Sequence, residues 1–234
     1  MAEFKRILIK LSGEALAGEQ TTGFEEDIVI NVAKQVKKAV DQGIQVGIVI
    51  GGGNFWRGRS SQNLDRCKAD QIGMLATIMN AIYVSEIFRS VGINTEILTP
   101  FSVGAFTNLF SKDKANKYLN DGKVVFFAGG TGHPYFSTDT AAVLRAIEIE
   151  AETILLAKNI DGVYDSDPKT NKNAKKYKEI SLKEVIEKEL KVIDLTAAIM
   201  CLENKMPMLV FGLYENNGII NTIEGKLNGT NITI

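Results

Sequence analysis

Three consecutive glycines and an asparagine, Gly51, Gly52, Gly53 and Asn54, follow directly on a nearly all-apolar run at residues 44–50 (IQVGIVI). Glycine amides are unshielded by a side chain and approach an anion closely. Arg57 stands just beyond, and its guanidinium fork suits phosphate oxygens. The same logic returns at Gly129-Gly130-Thr131-Gly132, after the apolar run KVVFFA. Hydroxyl residues and a helix start follow, and helix N-terminal amides favour negative charge. A lone glycine triplet reads as a tight turn, but two glycine-rich ends on two apolar runs point together to anionic ligands. Lys10 ends a third such run, FKRILIKL, just before Ser12-Gly13, and puts a cation beside another glycine turn.

The carboxylates sort by context. Asp139 and Asp167 are candidates to sit near phosphate and Mg²⁺, Asp194 reads as a helix cap, and Asp161 belongs to an Asp-Gly turn. His133 is the one histidine. A phosphate-monoester acceptor has its second pKa near ~6 and needs no base at neutral pH, so His133 is expected to shape its loop or donate a hydrogen bond. Phe55 and Trp56 read as burial. Tyr164 reads as either a base-stacking ring or a packing one. The lysine-rich stretch at 169–178 reads as a solvated loop. There is no GxxxxGK[ST] loop, Trp56 breaks a GxGxxG pattern, and no protein-kinase motif set is present.

Such residues need strand ends to hold them. Apolar runs at 4–11, 44–50, 93–98, 123–128, 153–157 and 208–211 read as strands. Ile28, Val32, Val36 and Val40 give a helical period at 25–42, and 69–90, 112–120 (ended by Gly122) and 138–150 (capped by Ser137 or Thr138) read as further helices. Ser181 with Glu184 forms a capping-box signal, and Asp194 starts a further helix to about residue 204. The tail GTNITI is expected to add an edge strand. Alternating strands and helices predict an α/β fold, a mostly parallel sheet covered on both faces. Ligands of such sheets collect at the carboxyl ends of the strands. Four ends here are unusual: 10–13, 51–54, 129–137 and 158–167. No linker or repeat divides the chain, so residues 1–234 are expected to form one domain.

The 234 residues carry 27 basic and 28 acidic side chains, a balance that gives no overall pull toward nucleic acid or anionic membrane. Cys67 and Cys201 lack metal-ligand spacing and read as reduced thiols. No run is expected to span a bilayer, and the N-terminus lacks the pattern of a signal peptide. A soluble cytoplasmic protein is the expectation.

KLSGEAL at 10–16, VIGGGNFWRG at 49–58, DQIGMLATIMN at 70–80, TGHPYFSTD at 131–139, RAIEIEAE at 145–152, NIDGVYDSDP at 159–168 and KELKVIDLTA at 188–197 occur in that order. Together with a Gly-Thr pair near the C-terminus, the set resembles the amino acid kinase superfamily, and within it the bacterial-type UMP kinases. The resemblance implies a three-layer αβα sandwich that makes UDP and ADP from UMP and ATP-Mg²⁺ in pyrimidine nucleotide biosynthesis. It also implies an allosteric homohexamer. By motif it places Lys10, Leu11, Ser12, Gly13, Gly53 and Arg57 on the ATP phosphates, and Lys158, Asn159, Tyr164 and Asp167 on the adenosine end. Gly52, Asp70 and the loop Thr131, Gly132, His133, Pro134, Tyr135, Phe136, Ser137 and Thr138 would hold UMP. Lys10 and Arg57 would stabilise the transferring charge, with Asp139 orienting Lys10 or the metal. The N-terminal part would mainly bind the acceptor and the C-terminal part ATP. Position 133 departs from the pattern, which has a small polar residue there. The alternatives are a kinase of this superfamily acting on a carboxylate or carbamate, a non-catalytic nucleotide sensor, and a dinucleotide oxidoreductase, which the broken GxGxxG disfavours.

Overall fold

The computed structural model describes residues 4–20, 22–56, 64–226 and 228–234. Along β1 (Arg6–Leu11) the side chains alternate between the two faces of the sheet. Ile7, Ile9 and Leu11 enter one apolar cluster, and Leu8 enters another. Lys10 shares a face with Leu8, so this alternation fixes which layer its ammonium addresses.

The elements follow in order: α1 (Gly13–Leu16), α2 (Glu26–Asp41), β2 (Gln45–Ile50), α3 (Arg66–Ser90), β3 (Thr95–Thr99), β4 (Asn108–Leu109), α4 (Lys112–Asn120), β5 (Val124–Phe127) and α5 (Thr138–Glu148). Then come β6 (Thr153–Lys158), β7 (Glu179–Ser181), α6 (Leu182–Glu187), α7 (Leu195–Asn204), β8 (Met208–Gly212), α8 (Gly218–Ile223) and β9 (Thr230–Thr233). Among the described residues the sheet order is β4-β3-β5-β2-β1-β6-β8-β9-β7. All pairs are parallel except β8 with β9. The first apolar cluster joins one face to α2, α3 and α8; the second joins the other face to α4, α5, α6 and α7. This is the expected αβα arrangement. The chain leaves β1 toward β2 on one side and returns to β6 on the other, so the strand order reverses at β1 and opens a crevice at the strand carboxyl ends.

Several expectations are corrected. The tail strand β9 is interior, antiparallel to β8 and parallel to β7, and β7 is the edge on that side. At three residues β7 is too short to show a period in sequence. α3 begins at Arg66, earlier than expected, because Asp65 caps it by accepting from the Lys68 amide at 3.1 Å. By length and apolarity α3 also reaches the dimensions of a membrane span, contrary to the sequence reading. Half of that stretch is buried within the fold, as in a core helix.

Candidate active site

The glycine turn after β2 is held from three sides. The Gly51 amide donates to Leu11 O at 3.0 Å, so it extends the ladder and is not a bare anion donor. The buried Asn80 of α3 donates to Gly51 O at 2.6 Å and to Asn54 Oδ1 at 2.7 Å. Asn54 in turn donates to Gly23 O at 2.9 Å. A Cβ on Gly52 would stand 3.0 Å from both Ala76 Cβ and Gly73 O, so the turn lies directly on α3. The link from Asn80 to the turn does not announce itself in sequence, because a helical asparagine 26 residues beyond Asn54 and 29 beyond Gly51 has no local signature.

The second glycine loop leaves β5 with positive φ at Gly129, Gly130 and Gly132 (80°, 62° and 87°), conformations that L side chains rarely adopt. Thr77 of α3 accepts from the Gly129 amide at 2.9 Å. Asp70 accepts from the Tyr135 amide at 2.7 Å and from Arg66 Nε at 2.9 Å, and the Arg66 guanidinium lies 5.3 Å from the Tyr135 ring centre. Asp70 therefore ties this loop to the start of α3. His133 is exposed, and its backbone N–H and C=O both bond Thr131 Oγ1 at 3.2 Å, so its backbone shapes the loop.

The start of α5 carries the central ion pair. Ser137 caps the helix by accepting from the Asp139 and Thr140 amides at 3.0 and 3.2 Å, which occupies two amides otherwise open to an anion. Asp194 caps α7 through the Ala197 amide at 3.0 Å, as expected. It also accepts from Ser137 Oγ and from Thr140 Oγ1, so one carboxylate fastens two helix starts together. Asp139 then faces Lys10 at the end of β1, with Lys10 Nζ 2.8 Å from Asp139 Oδ1 and side chains only 13% and 20% exposed.

Two cavities meet here. One, of about 460 Å³, is lined by Gly52, Gly53, Asp70, Thr77, Thr131 and Asp139, among others. The other, of about 470 Å³, is lined by Tyr164, Asp167 and neighbours on the 158–169 loop. Lys158, Lys191 and Val192 line both. Lys158 Nζ donates to Val192 O. Burial pushes the Lys158 ammonium down to about 8, with Asp139 opposing and Lys10 assisting.

At the second cavity, Asp161 does more than make a turn. It accepts from Tyr164 OH at 2.7 Å and from Lys176 Nζ at 2.8 Å, so one lysine of the solvated stretch anchors the loop. The Asp161 hydrogen bond pushes the Tyr164 hydroxyl above its ordinary pKa. Asp167 caps the next turn through the Lys169 amide at 2.9 Å.

The structure thus brings Gly52, Gly53, Asp70, Thr131, Phe136, Ser137, Thr138, Asp139 and Lys158 to the first cavity, and Lys158, Tyr164 and Asp167 to the second. Gly132, His133, Pro134 and Tyr135 build the loop without lining either cavity, and Asn159, exposed after the end of β6, lines neither. Ser12 precedes and Gly13 opens α1, close against the Gly51 carbonyl, and the Leu11 side chain is fully buried with its carbonyl taken by the Gly51 amide. Arg57 lies outside the described residues.

The profile of the Amino acid kinase family matches residues 5–212. The chain belongs to the amino acid kinase family. This amino acid kinase is similar in structure to the UMP kinase of Bacillus anthracis, with 36% identity, a TM-score of 0.94, and 98% of this chain and 96% of that chain covered. The UMP kinase of Ureaplasma parvum matches with 36% identity, a TM-score of 0.93, and coverage of 98% and 99%. The uridylate kinase of Archaeoglobus fulgidus matches with 27% identity, a TM-score of 0.75, and coverage of 100% of both chains. Around the residues read from sequence, the site of this amino acid kinase also gathers Arg66, which lies outside the motifs, and Thr77, Asn80 and Lys191, which lie inside the segments 70–80 and 188–197 but have no individual role in the sequence reading. Asp194 also serves it in a role beyond its cap.

Proposed function

We propose that this amino acid kinase transfers the γ-phosphoryl group of ATP to UMP, giving ADP and UDP, in pyrimidine nucleotide synthesis in the cytoplasm. The observation that carries the reading is a pair of adjoining cavities that share Lys158 and Lys191, with the Lys10–Asp139 pair at the first of them. Two nucleotides laid into them end to end bring their phosphates together at that shared wall. Gly52, Asp70 and the 131–138 loop, largely in the N-terminal part, hold UMP. The 158–169 loop of the C-terminal part holds the adenosine end. A phosphate oxygen of UMP attacks the γ-phosphorus while the bond to the β,γ-bridging oxygen breaks, and ADP leaves. Because the acceptor is already ionised, the protein supplies position and positive charge and no base.

Among the described residues no group of three acidic, histidine or cysteine side chains could hold a metal. Mg²⁺ keeps several waters and takes phosphates as ligands, so it fits here as an ion brought in by ATP, neutralising phosphate charge. Asp139 is then assigned to orienting Lys10.

The assembly is proposed to be a homo-oligomer, with the hexamer that the family resemblance implies. Ile72, Leu75, Met79 and Ile82 form an exposed apolar stripe along α3 at helical spacing, a surface that a second copy would cover. No nucleic-acid or membrane partner is proposed.

The test is ADP formation from ATP-Mg²⁺ with UMP, CMP, dUMP, AMP, glutamate, aspartate and carbamate as acceptors. Preference for UMP is expected. Turnover only with a carboxylate or carbamate would replace the acceptor, and nucleotide binding without turnover would make the protein a sensor. Asp70→Ala is expected to raise the KM for UMP roughly tenfold or more, the worth of a charged hydrogen bond, with little change for ATP. An equal effect on both substrates would remove Asp70 from the acceptor site.

A pH dependence also follows. Below ~6 the UMP phosphate gains a proton and loses nucleophilicity. Lys158 is depressed to about 8, so its charge is present below that pH and lost above it. The expected kcat/KM, which reports the free enzyme, peaks between these limits. Lys158→Met should lower the plateau and remove the fall near pH 8; an unchanged alkaline limb would assign it to another group.

A further inference from the structure

Lys191 sits in the strap between α6 and α7, and its backbone is fixed on both sides. The Leu190 amide donates to Val185 O at 3.0 Å, and the Val192 amide reaches back to Leu190 O at 2.8 Å, a three-residue turn with Lys191 at its centre. The buried Val192 follows, with its carbonyl taken by Lys158 Nζ. Two residues further on, Asp194 clamps Ser137 and Thr140. The Lys191 side chain is nevertheless exposed, and it lines both cavities. A rigid backbone carrying an exposed cation at the boundary of two anion-binding spaces is placed for a ligand that crosses that boundary. Lys158 is differently placed: its ammonium already serves the Val192 carbonyl.

On the reading that the cavities hold UMP and ATP, we infer that Lys191 contacts the transferring phosphoryl group and is a catalytic residue of this kinase. Its charge meets equatorial oxygens whose negative charge is shared between donor and acceptor as the old P–O bond breaks and the new one forms. Because the contact is strongest at that point, it acts on kcat more than on either KM.

The experiment compares full-length wild type, Lys191→Met and Lys191→Arg in steady-state ADP formation with UMP. The expected result is a fall in kcat on the order of 10²-fold for Lys191→Met, with both KM values within about threefold and an unchanged thermal midpoint. Lys191→Arg should recover much of the loss, which a purely structural role of the strap would not predict. Wild-type kcat in Lys191→Met overturns the inference, as does a rise in the KM for ATP alone. A wild-type enzyme inactive with UMP overturns the kinase reading itself, and the inference falls with it; that outcome is visible before any variant is measured.

Discussion

Replacing Lys10 by methionine is expected to lower kcat for UDP formation on the order of 10²–10³-fold while the protein stays folded. Methionine keeps most of the length and apolar stem of lysine and removes only the charge. The β1 ladder is made by backbone groups and by the buried Ile7, Leu8, Ile9 and Leu11, so the sheet does not depend on the ammonium. The effect on rate is large because the pair with Asp139 is 2.8 Å long and little exposed, and charge acts more strongly where water is excluded. Burial also fixes the ammonium before substrate arrives, which avoids reorganisation during transfer. Steady-state kinetics with a thermal melt of the same preparation checks this. Turnover near wild type would detach Lys10 from the reaction. A double-mutant cycle with Asp139→Asn then separates roles: if Asp139 acts by orienting Lys10, the two losses are far from additive.

Gly13→Ala is expected to destabilise the protein by about 3 kcal/mol, the upper range of forced overpacking. A Cβ there would stand 2.3 Å from Gly51 O and 2.5 Å from Asn54 Oδ1. The first of these is backbone, held by Asn80, and cannot swing aside. In a chain of this size the thermal midpoint should fall by roughly 6–12 °C. Gly53→Ala is the control. Its Cβ would meet only side-chain atoms of Glu14, Oε1 at 2.7 Å and Cγ at 3.0 Å, and no backbone, so its stability should fall by less than that of Gly13→Ala. Equal melting losses in the two variants would show that the turn is strained by any side chain and not by the Gly51 contact.

These two residues also show what a sequence reader can and cannot see. Lys10, Ser12 and Gly13 stand out because a cation and a glycine end an apolar run, and β1 was legible for the same reason. Its face was not: whether Lys10 addresses α5 or α2 depends on the order in which distant strands pair. The glycines at 51–53 are legible as a special turn, but only part of their purpose is. Gly51 continues a ladder, and Gly52 admits α3; neither fact is local. Asp161 looked like ordinary turn chemistry because Lys176 lies fifteen residues away. The periodic pattern of α2 is readable because that helix buries one apolar stripe, whereas α3 carries apolar residues on its exposed face as well and shows length more than period. β4, α1 and β7 are not readable, being shorter than the period that would reveal them. Asp194 is legible as a cap, while its hold on Ser137 and Thr140 requires α5 and α7 to be neighbours.

The interior placement of β9 sets an order of assembly. Strand β7 has β9 as its neighbour in the sheet, and the side chains of Asn231 and Glu179 meet across 52 residues of chain. Thr230 also receives the Val163 amide at 2.8 Å and donates to Tyr177 O at 2.6 Å. A chain growing from its N-terminus can therefore pair β1, β2, β5 and β6, and lay down the part of the first cavity's wall that precedes residue 191, while the 158–169 loop still lacks its hold on Thr230. The half of the crevice assigned to ATP is completed by the closing of a long, late loop, and such closures are slow.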